Sequence, residues 1–265
     1  MNNYQRTALV TGASAGIGAA FARHLAAEGY ALLLVARRIE RLEALAVSIN
    51  AEHGVRCDVF AADLNDPTAP AAIMAFAEQR GIAIDVLINN AGLSGKTAFA
   101  DTPWETLAAE IQLMVTAVTE LCHRVLPGMR ARSWGRIINL SSLAAFSPPG
   151  ASLLYTGIKS YVLGMSQSLD MELKPQGIHV TALCPGFTRS VFHDTMGTRN
   201  AADKLPDLLW QDAEDVVREG WNAVMKGNPV CVPGIVNKVV AGSFSPLPLA
   251  VKYHLGNRLN PFKEN

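Results

Sequence analysis

Apolar residues along this chain fall into two alternating kinds of run. Short runs, apolar nearly throughout, occupy residues 7–12 (TALVTG), 30–36 (YALLLVA), 57–64 (CDVFAADL), 84–90 (IDVLINN), 135–142 (GRIINLSS), 178–186 (IHVTALCPG) and 229–234 (PVCVPG). Unbroken apolarity over so few residues predicts strands covered on both faces. Between them apolar residues recur with helical spacing near 16–28, 39–53, 67–80, 103–131, 152–174 and 212–226. Strand–helix alternation of this kind needs right-handed crossovers. It predicts an α/β fold: three layers, with a doubly wound parallel sheet of about seven strands and helices on both faces. Two stretches escape the alternation, the loop-rich 187–211 and the proline-punctuated tail 233–265. No repeat, low-complexity linker or domain break is visible. The expectation is therefore one domain over 1–265, with 187–211 as a loop region and 234–265 as a C-terminal extension.

Composition narrows the classes. Of 265 residues 49% are hydrophobic and 17% charged, which suits a large core and argues against disorder. Basic and acidic residues number 23 each, so the chain has no bulk electrostatic claim on nucleic acid or anionic membrane. The first strand begins by about Thr7, leaving no room for a signal peptide. No apolar run approaches the ~20 residues of a membrane span. Cys57, Cys122, Cys184 and Cys231 lie far apart without CxxC pairs and read as reduced thiols in a cytoplasmic protein. The six histidines are dispersed and offer no metal site.

Two local patterns carry chemistry. TGASAGIG (11–18) follows the first strand and opens a helix. At a first strand–helix junction Gly12 allows a tight turn, Gly16 lets backbone approach a pyrophosphate and Gly18 lets helix and strand pack closely. Amides at the helix start, from Ser14 to Ile17, then face the phosphates of a dinucleotide. The second pattern is LLYTGIKSYV (153–162), where Tyr155 and Lys159 stand one helical turn apart on a shared face. Taken alone, this is a core tyrosine and a lysine reaching to water.

The ordered set of motifs decides between these readings. TGxxxGxG at 11–18 is followed by NNAG (89–92), INLSS (138–142), YxxxK (155–159) and PGFTRS (185–190), with Ser142 thirteen residues before Tyr155. This order resembles the short-chain dehydrogenase/reductase family over about 180 residues of motifs, and the strand pattern continues to about residue 234. The resemblance implies a one-domain Rossmann-type fold, a nicotinamide cofactor and hydride transfer between a carbonyl and an alcohol. It implies Ser142, Tyr155 and Lys159 as the catalytic residues. Tyr155 would be the acid/base, Lys159 its electrostatic partner and a ribose ligand, and Ser142 the hydroxyl that polarises the substrate oxygen. A free phenol with pKa ~10 needs about 4 kcal/mol of phenolate stabilisation to work as a base near neutrality. A cation at ~4 Å supplies roughly that at an effective dielectric of ~20, while burial opposes it.

The same resemblance assigns further contacts. Asp63 and Leu64 match the adenine-contacting pair, and Asn90, Ala91 and Gly92 match the segment lining the adenosine ribose. Pro185 and Gly186 match the turn at the nicotinamide, with Thr188 and Ser190 within reach of its carboxamide. In a dinucleotide fold an acidic residue after the second strand usually selects NAD. Here Ala36 takes that place and Arg37 and Arg38 follow. Guanidinium forks suit a phosphate, so NADP(H) is expected over NAD(H), with Arg37 the better candidate by family analogy.

One position breaks the family pattern. Where many members carry an asparagine in the long helix after NNAG, this chain has EIQLMVTAVTEL (110–121), with Met114 in that place. Gln112 lies about 200° away around an α-helix and cannot simply substitute. Leu93, Leu143, Leu153, Phe187 and Phe192 are the candidate walls of an apolar pocket for a small carbonyl or alcohol substrate. A reductase of carrier-bound 3-oxoacyl intermediates is the alternative, and would need a basic docking face such as Arg130, Arg132 and Arg136. A non-catalytic NADP sensor would be expected to have lost the tyrosine or lysine. By resemblance the protein is a homodimer or homotetramer, joined through helices 103–131 and 152–174.

Overall fold

Seven parallel strands in the order β3-β2-β1-β4-β5-β6-β9 form the central sheet of the computed structural model. The structure describes residues 5–93, 99–146, 153–189, 210–244, 247–248, 250–251 and 253–255. The strands are β1 (Thr7–Thr11), β2 (Ala31–Ala36), β3 (Cys57–Ala61), β4 (Ile84–Asn89), β5 (Gly135–Leu140), β6 (Ile178–Leu183) and β9 (Val230–Cys231). β1 pairs with β2 in the register Thr7↔Ala31 to Thr11↔Val35, and the order reverses direction between β1 and β4. Chain crossovers leave in opposite directions there, which opens a crevice at the carboxyl ends of the strands.

The unbroken apolarity of the strands follows from two cores. Ala8, Val10, Leu32 and Leu34 face α1 (Gly16–Ala27), α2 (Ile39–His53) and α7 (Ala213–Met225). Leu9, Leu33, Val35 and Leu87 face the helices α3 (Ala69–Gln79), α5 (Ala117–Ala131) and α6 (Leu153–Leu173). Successive strand residues point to opposite faces, so both parities must be apolar. Among the described residues no helix is long and apolar enough to cross a membrane.

Three features depart from the sequence reading. The single helix expected over 103–131 is α4 (Trp104–Ile111) and α5, joined by a π-helical segment, Gln112–Thr116, in which Ala117 N–H donates to Gln112 O. One extra residue per turn leaves the apolar stripe nearly intact, so periodicity alone does not reveal it. Within the expected loop, β7 (Phe187–Arg189) and β8 (Trp210–Asp212) form a separate parallel pair. Three residues are too few to show an alternation. The tail contains α8 (Ile235–Phe244), which fits between the prolines at 233 and 246 of the sequence.

The amino edge of the sheet is held by charge and aromatic contacts. Buried Asp85 accepts from Thr7 N–H at 3.0 Å and from Arg132 Nε at 2.8 Å. Arg6 and Arg136 place their guanidinium carbons 3.8 and 4.5 Å from the centroid of the Trp134 ring system. Arg136 is 7% exposed and donates to the carbonyls of Gly135 and Gly177. Arg130 pairs with Glu172 at 2.9 Å. The three arginines considered as a docking face thus sit at the amino ends of the strands, opposite the end that carries Ser142.

Candidate active site

The glycine loop joins β1 to α1 at the carboxyl edge. Gly12 and Gly16 have φ of +64° and +55°, a region that favours glycine. A Cβ on Gly12 would lie 2.7 Å from Asn90 Nδ2, and one on Gly18 would strike the carbonyl of Gly12. Asn90 causes this crowding: its Nδ2 donates to Thr11 O at 3.0 Å and Gly12 O at 3.2 Å, tying NNAG to the loop. Thr11 Oγ1 accepts from the N–H groups of Asn90 and Ala91. The first turn of α1 has no side-chain cap and no acidic residue. Its free N–H groups, Ile17 and Gly18 included, offer the electropositive end that a pyrophosphate fits.

Ala36 ends β2, and Arg37 and Arg38 are exposed beside the loop. Arg38, rather than Arg37, reaches it: Nη2 lies 3.2 Å from Ser14 Oγ. Arg37 has no hydrogen-bonding partner among the described residues. Asp63 uses Oδ1 to accept from Asn65 N–H at 3.0 Å, and Leu64 is buried beside it.

Ser142, Tyr155 and Lys159 come together where β5 ends against α6. Ser142 Oγ accepts from Ala144 N–H at 3.1 Å and the serine hydroxyl also bonds the Tyr155 phenol. Lys159 Nζ donates to Leu140 O at 2.7 Å and lies 5.4 Å from the centroid of the tyrosine ring. Burial pushes the phenol above its ordinary pKa, with the Ser142 hydrogen bond opposing. Burial also brings the Lys159 ammonium down to about 8, against a smaller opposite effect from Cys184. The sequence reading expected the cation to lower the phenol; desolvation wins instead. Both shifts favour neutral groups, so around neutrality the phenol is a proton donor.

Ser141, the neighbour of Ser142, has a distinct set of contacts. Its Oγ donates to the Lys159 carbonyl at 2.7 Å and its N–H donates to Leu183 O at 2.8 Å, pinning the catalytic turn of α6 to the sheet. Below it, Asn89 Nδ2 donates to Asn139 Oδ1 at 2.9 Å, and Asn139 Nδ2 to Ser166 Oγ at 3.0 Å. No sequence signal separates these partners from other polar residues at strand ends.

Met114 lies in the π segment, 1% exposed, and its sulfur would lie 3.5 Å from a Cβ on Gly92. It is core filler beside NNAG. The buried Gln112 Nε2 has no hydrogen-bond partner among the described residues.

Of the pocket candidates, Leu93 and Leu143 are half-buried near the catalytic group. Phe187 is 39% exposed and packs on Trp210 at 5.7 Å between ring centroids. Leu153 opens α6, while its side chain, with Ser190 and Phe192, lies outside the described residues. Thr188 is buried and its hydroxyl donates to Gly186 O at 3.3 Å.

Similarity to known proteins agrees with this arrangement. The model of the short chain dehydrogenase family matches residues 6–201. Serine 3-dehydrogenase from Agrobacterium fabrum is 34% identical over 206 residues, 75% of this chain and 79% of that protein. A short-chain dehydrogenase from Sphingobium yanoikuyae, solved in complex with NADPH, superposes with a TM-score of 0.80 at 32% identity, covering 92% of this chain and 97% of that one. The bulky-bulky ketone specific alcohol dehydrogenase from Comamonas testosteroni gives 0.76 at 30% identity, covering 92% and 96%.

Proposed function

The chain belongs to the short-chain dehydrogenase family, and we propose that within it the protein is an NADP(H)-dependent oxidoreductase that interconverts an apolar ketone and its alcohol. The observation that carries this reading is the meeting of Ser142, Tyr155 and Lys159 at the carboxyl edge of the sheet, beside the glycine loop. A nicotinamide supplies hydride to the carbonyl carbon, or accepts it in the reverse direction. The protein's part is the proton. In reduction the neutral Tyr155 phenol gives its proton to the developing alkoxide oxygen, and Ser142 holds that oxygen by a hydrogen bond. Lys159 stabilises the phenolate left behind, at the moment when a cation nearby is worth most. Oxidation runs the same path backwards and needs the phenolate first.

Support for NADP comes from Arg38 against Ser14, from Ala36 in place of an acid, and from the NADPH held by the Sphingobium relative. Support for an apolar, bulky substrate comes from Leu93, Leu143 and the Phe187–Trp210 pair, together with the ketone named for the Comamonas relative. The same proposal includes a cytoplasmic location, one catalytic domain over 1–265 and a homodimer or homotetramer. The groove lined by Val115, Thr119, His123 and Tyr161, between α5 and α6, is the surface such an assembly would use.

The test is NADPH oxidation against aldehydes and ketones graded by size and polarity, with Tyr155→Phe alongside. General acid catalysis contributes ~10²–10⁴-fold, so the variant is expected to lose at least a hundredfold in kcat while still binding NADPH. A Tyr155→Phe protein that kept most of its activity on the best ketone would sink the mechanism.

A further inference from the structure

The tail helix α8 reaches back to the catalytic edge through one buried side chain. Asn237 is 5% exposed, and its Nδ2 donates to Gln211 Oε1 at 2.7 Å and to Pro233 O at 3.0 Å. The two amides sit between two glycines. A Cβ on Gly186 would lie 2.6 Å from Asn237 Oδ1 and 2.7 Å from Nδ2, and a Cβ on Gly234 would strike Gln211 Nε2. Side chains at 186 and 234 are therefore excluded by the amide pair itself. Gly234, at φ +77°, also makes the turn into α8, where its N–H donates to Glu219 Oε1 at 2.9 Å and Lys238 Nζ pairs with Glu219 Oε2 at 2.8 Å.

The contacts continue from this pair into the active site. Gln211 stands opposite Thr188 in the β7–β8 register. Gly186 follows Pro185, whose carbonyl accepts from Leu143 N–H at 2.9 Å, and Leu143 follows Ser142. Asn237 thus fixes the turn that in turn fixes the residue next to the catalytic serine. Neither Asn237 nor Gln211 touches the tyrosine or lysine by any described contact.

We propose that Asn237 and Gln211 form an amide clamp that positions the Pro185–Gly186 turn, and with it the nicotinamide end of the cofactor site and Ser142, for hydride transfer. This rests on the NADP(H)-dependent reaction proposed above. The role is positional: displacement of a reacting group by about 1 Å costs up to ~10²-fold in rate.

The experiment compares binding of 2′,5′-ADP, which lacks the nicotinamide half, with binding of NADPH and with turnover of the best ketone. Asn237→Leu keeps the branched side chain and removes the amide. It is expected to leave the Kd for 2′,5′-ADP within about twofold, weaken NADPH roughly tenfold, and lower kcat by ~10–100-fold. Gln211→Leu should behave alike and carries the test if Asn237→Leu does not fold. The double variant should be little worse than either single one, because the two act as a unit. Asn237→Asp should recover little of the loss, since a carboxylate cannot donate to the Pro233 carbonyl that Asn237 Nδ2 meets at 3.0 Å. Variants that keep kcat and NADPH affinity within twofold would overturn the clamp. So would equal losses for 2′,5′-ADP and NADPH, which mark general damage. A parent protein that neither binds NADPH nor turns over any ketone would overturn the functional reading, and this inference with it.

Discussion

Lys159 is a buried cation whose ordinary pKa of 10.5 is brought down to about 8. Between those values the unfolded chain holds a proton that the folded protein does not. This group's contribution to stability therefore grows as pH rises through that window. Cofactor binding is expected to have the opposite dependence, because an ammonium holds a ribose hydroxyl more strongly than a neutral amine and offsets phosphate charge. NADPH affinity is expected to weaken as pH rises through about 8. Binding at that pH should take up ~0.5 proton, measurable by calorimetry in buffers of different ionisation enthalpy. Lys159→Met should abolish the uptake; a Kd flat from pH 7 to 9 in the parent would refute the assignment. At the other end of the cofactor the geometry moves the emphasis from Arg37 to Arg38, which alone meets Ser14. One charge-assisted bond is worth ~1.5–3 kcal/mol. Arg38→Ala should therefore cost ten- to a hundredfold in NADPH affinity and little in NADH affinity, while Arg37→Ala costs less. Equal losses in the two variants would share the role between them. These residues show what sequence can reveal of a site. Ser142, Tyr155 and Lys159 are legible because their spacing falls within an ordered set of motifs. Ser141, Cys184 and Asn237 act through contacts made across the fold, and their local sequence is unremarkable for strand ends and helix starts.

Among the elements, the helix carrying Met114 is the informative one. The π segment displaces the hydrogen-bonding ladder by one residue, and Thr119 Oγ1 fills Val115 O at 2.7 Å while also meeting Tyr161 Oη at 2.9 Å. A bulge of this kind frees backbone carbonyls, and a carbonyl can hold ordered water as well as a side-chain amide can. The methionine side chain is not needed for that, and it fills the space beside Gly92. Met114→Asn is thus expected to change kcat by less than about tenfold, or ~1.4 kcal/mol of barrier. It should lower stability by ~1–3 kcal/mol, the cost of a buried amide without a partner. The measurements are kcat against pH and thermal unfolding of both proteins. A large gain in kcat with a shifted pH profile would show that the methionine limits proton transfer in the parent. The strand pair and the π segment escaped the sequence reading for a related reason. β7 and β8 are three residues each, and the π segment hides inside a helical stripe. Periodicity needs length, and the long elements, from β1 through α7, stand within a few residues of the runs that announced them.

At the scale of the whole molecule, apolar residues remain uncovered on the α4–α6 side. Trp104, at the start of α4, is 66% exposed, and Tyr161, which lines the groove with Thr119 and His123, is 41% exposed. If this is the assembly surface proposed above, light scattering should give twice or four times the chain's 28.4 kDa. Tyr161→Glu, which sets a charge into a dry interface, should shift the protein toward the monomer. A parent that is monomeric at micromolar concentration would remove the proposal. The sheet has a further consequence. Its central strands are five or six residues long, which puts the Arg6–Trp134–Arg136 stack and the Asp85–Arg132 pair ~17–20 Å from the glycine loop and Ser142. At that separation a pair of unit charges is worth only about 1 kcal/mol at an effective dielectric of ~20, so charges at one edge exert little pull at the other. Mutational tolerance is divided in the same way. On the function proposed above, residues such as Leu93, Leu143 and Phe187 could be exchanged to alter substrate choice without drawing on the contacts that hold the opposite edge closed. The scaffold's stability can then be raised or lowered at its amino edge while the substrate range at its carboxyl edge evolves on its own.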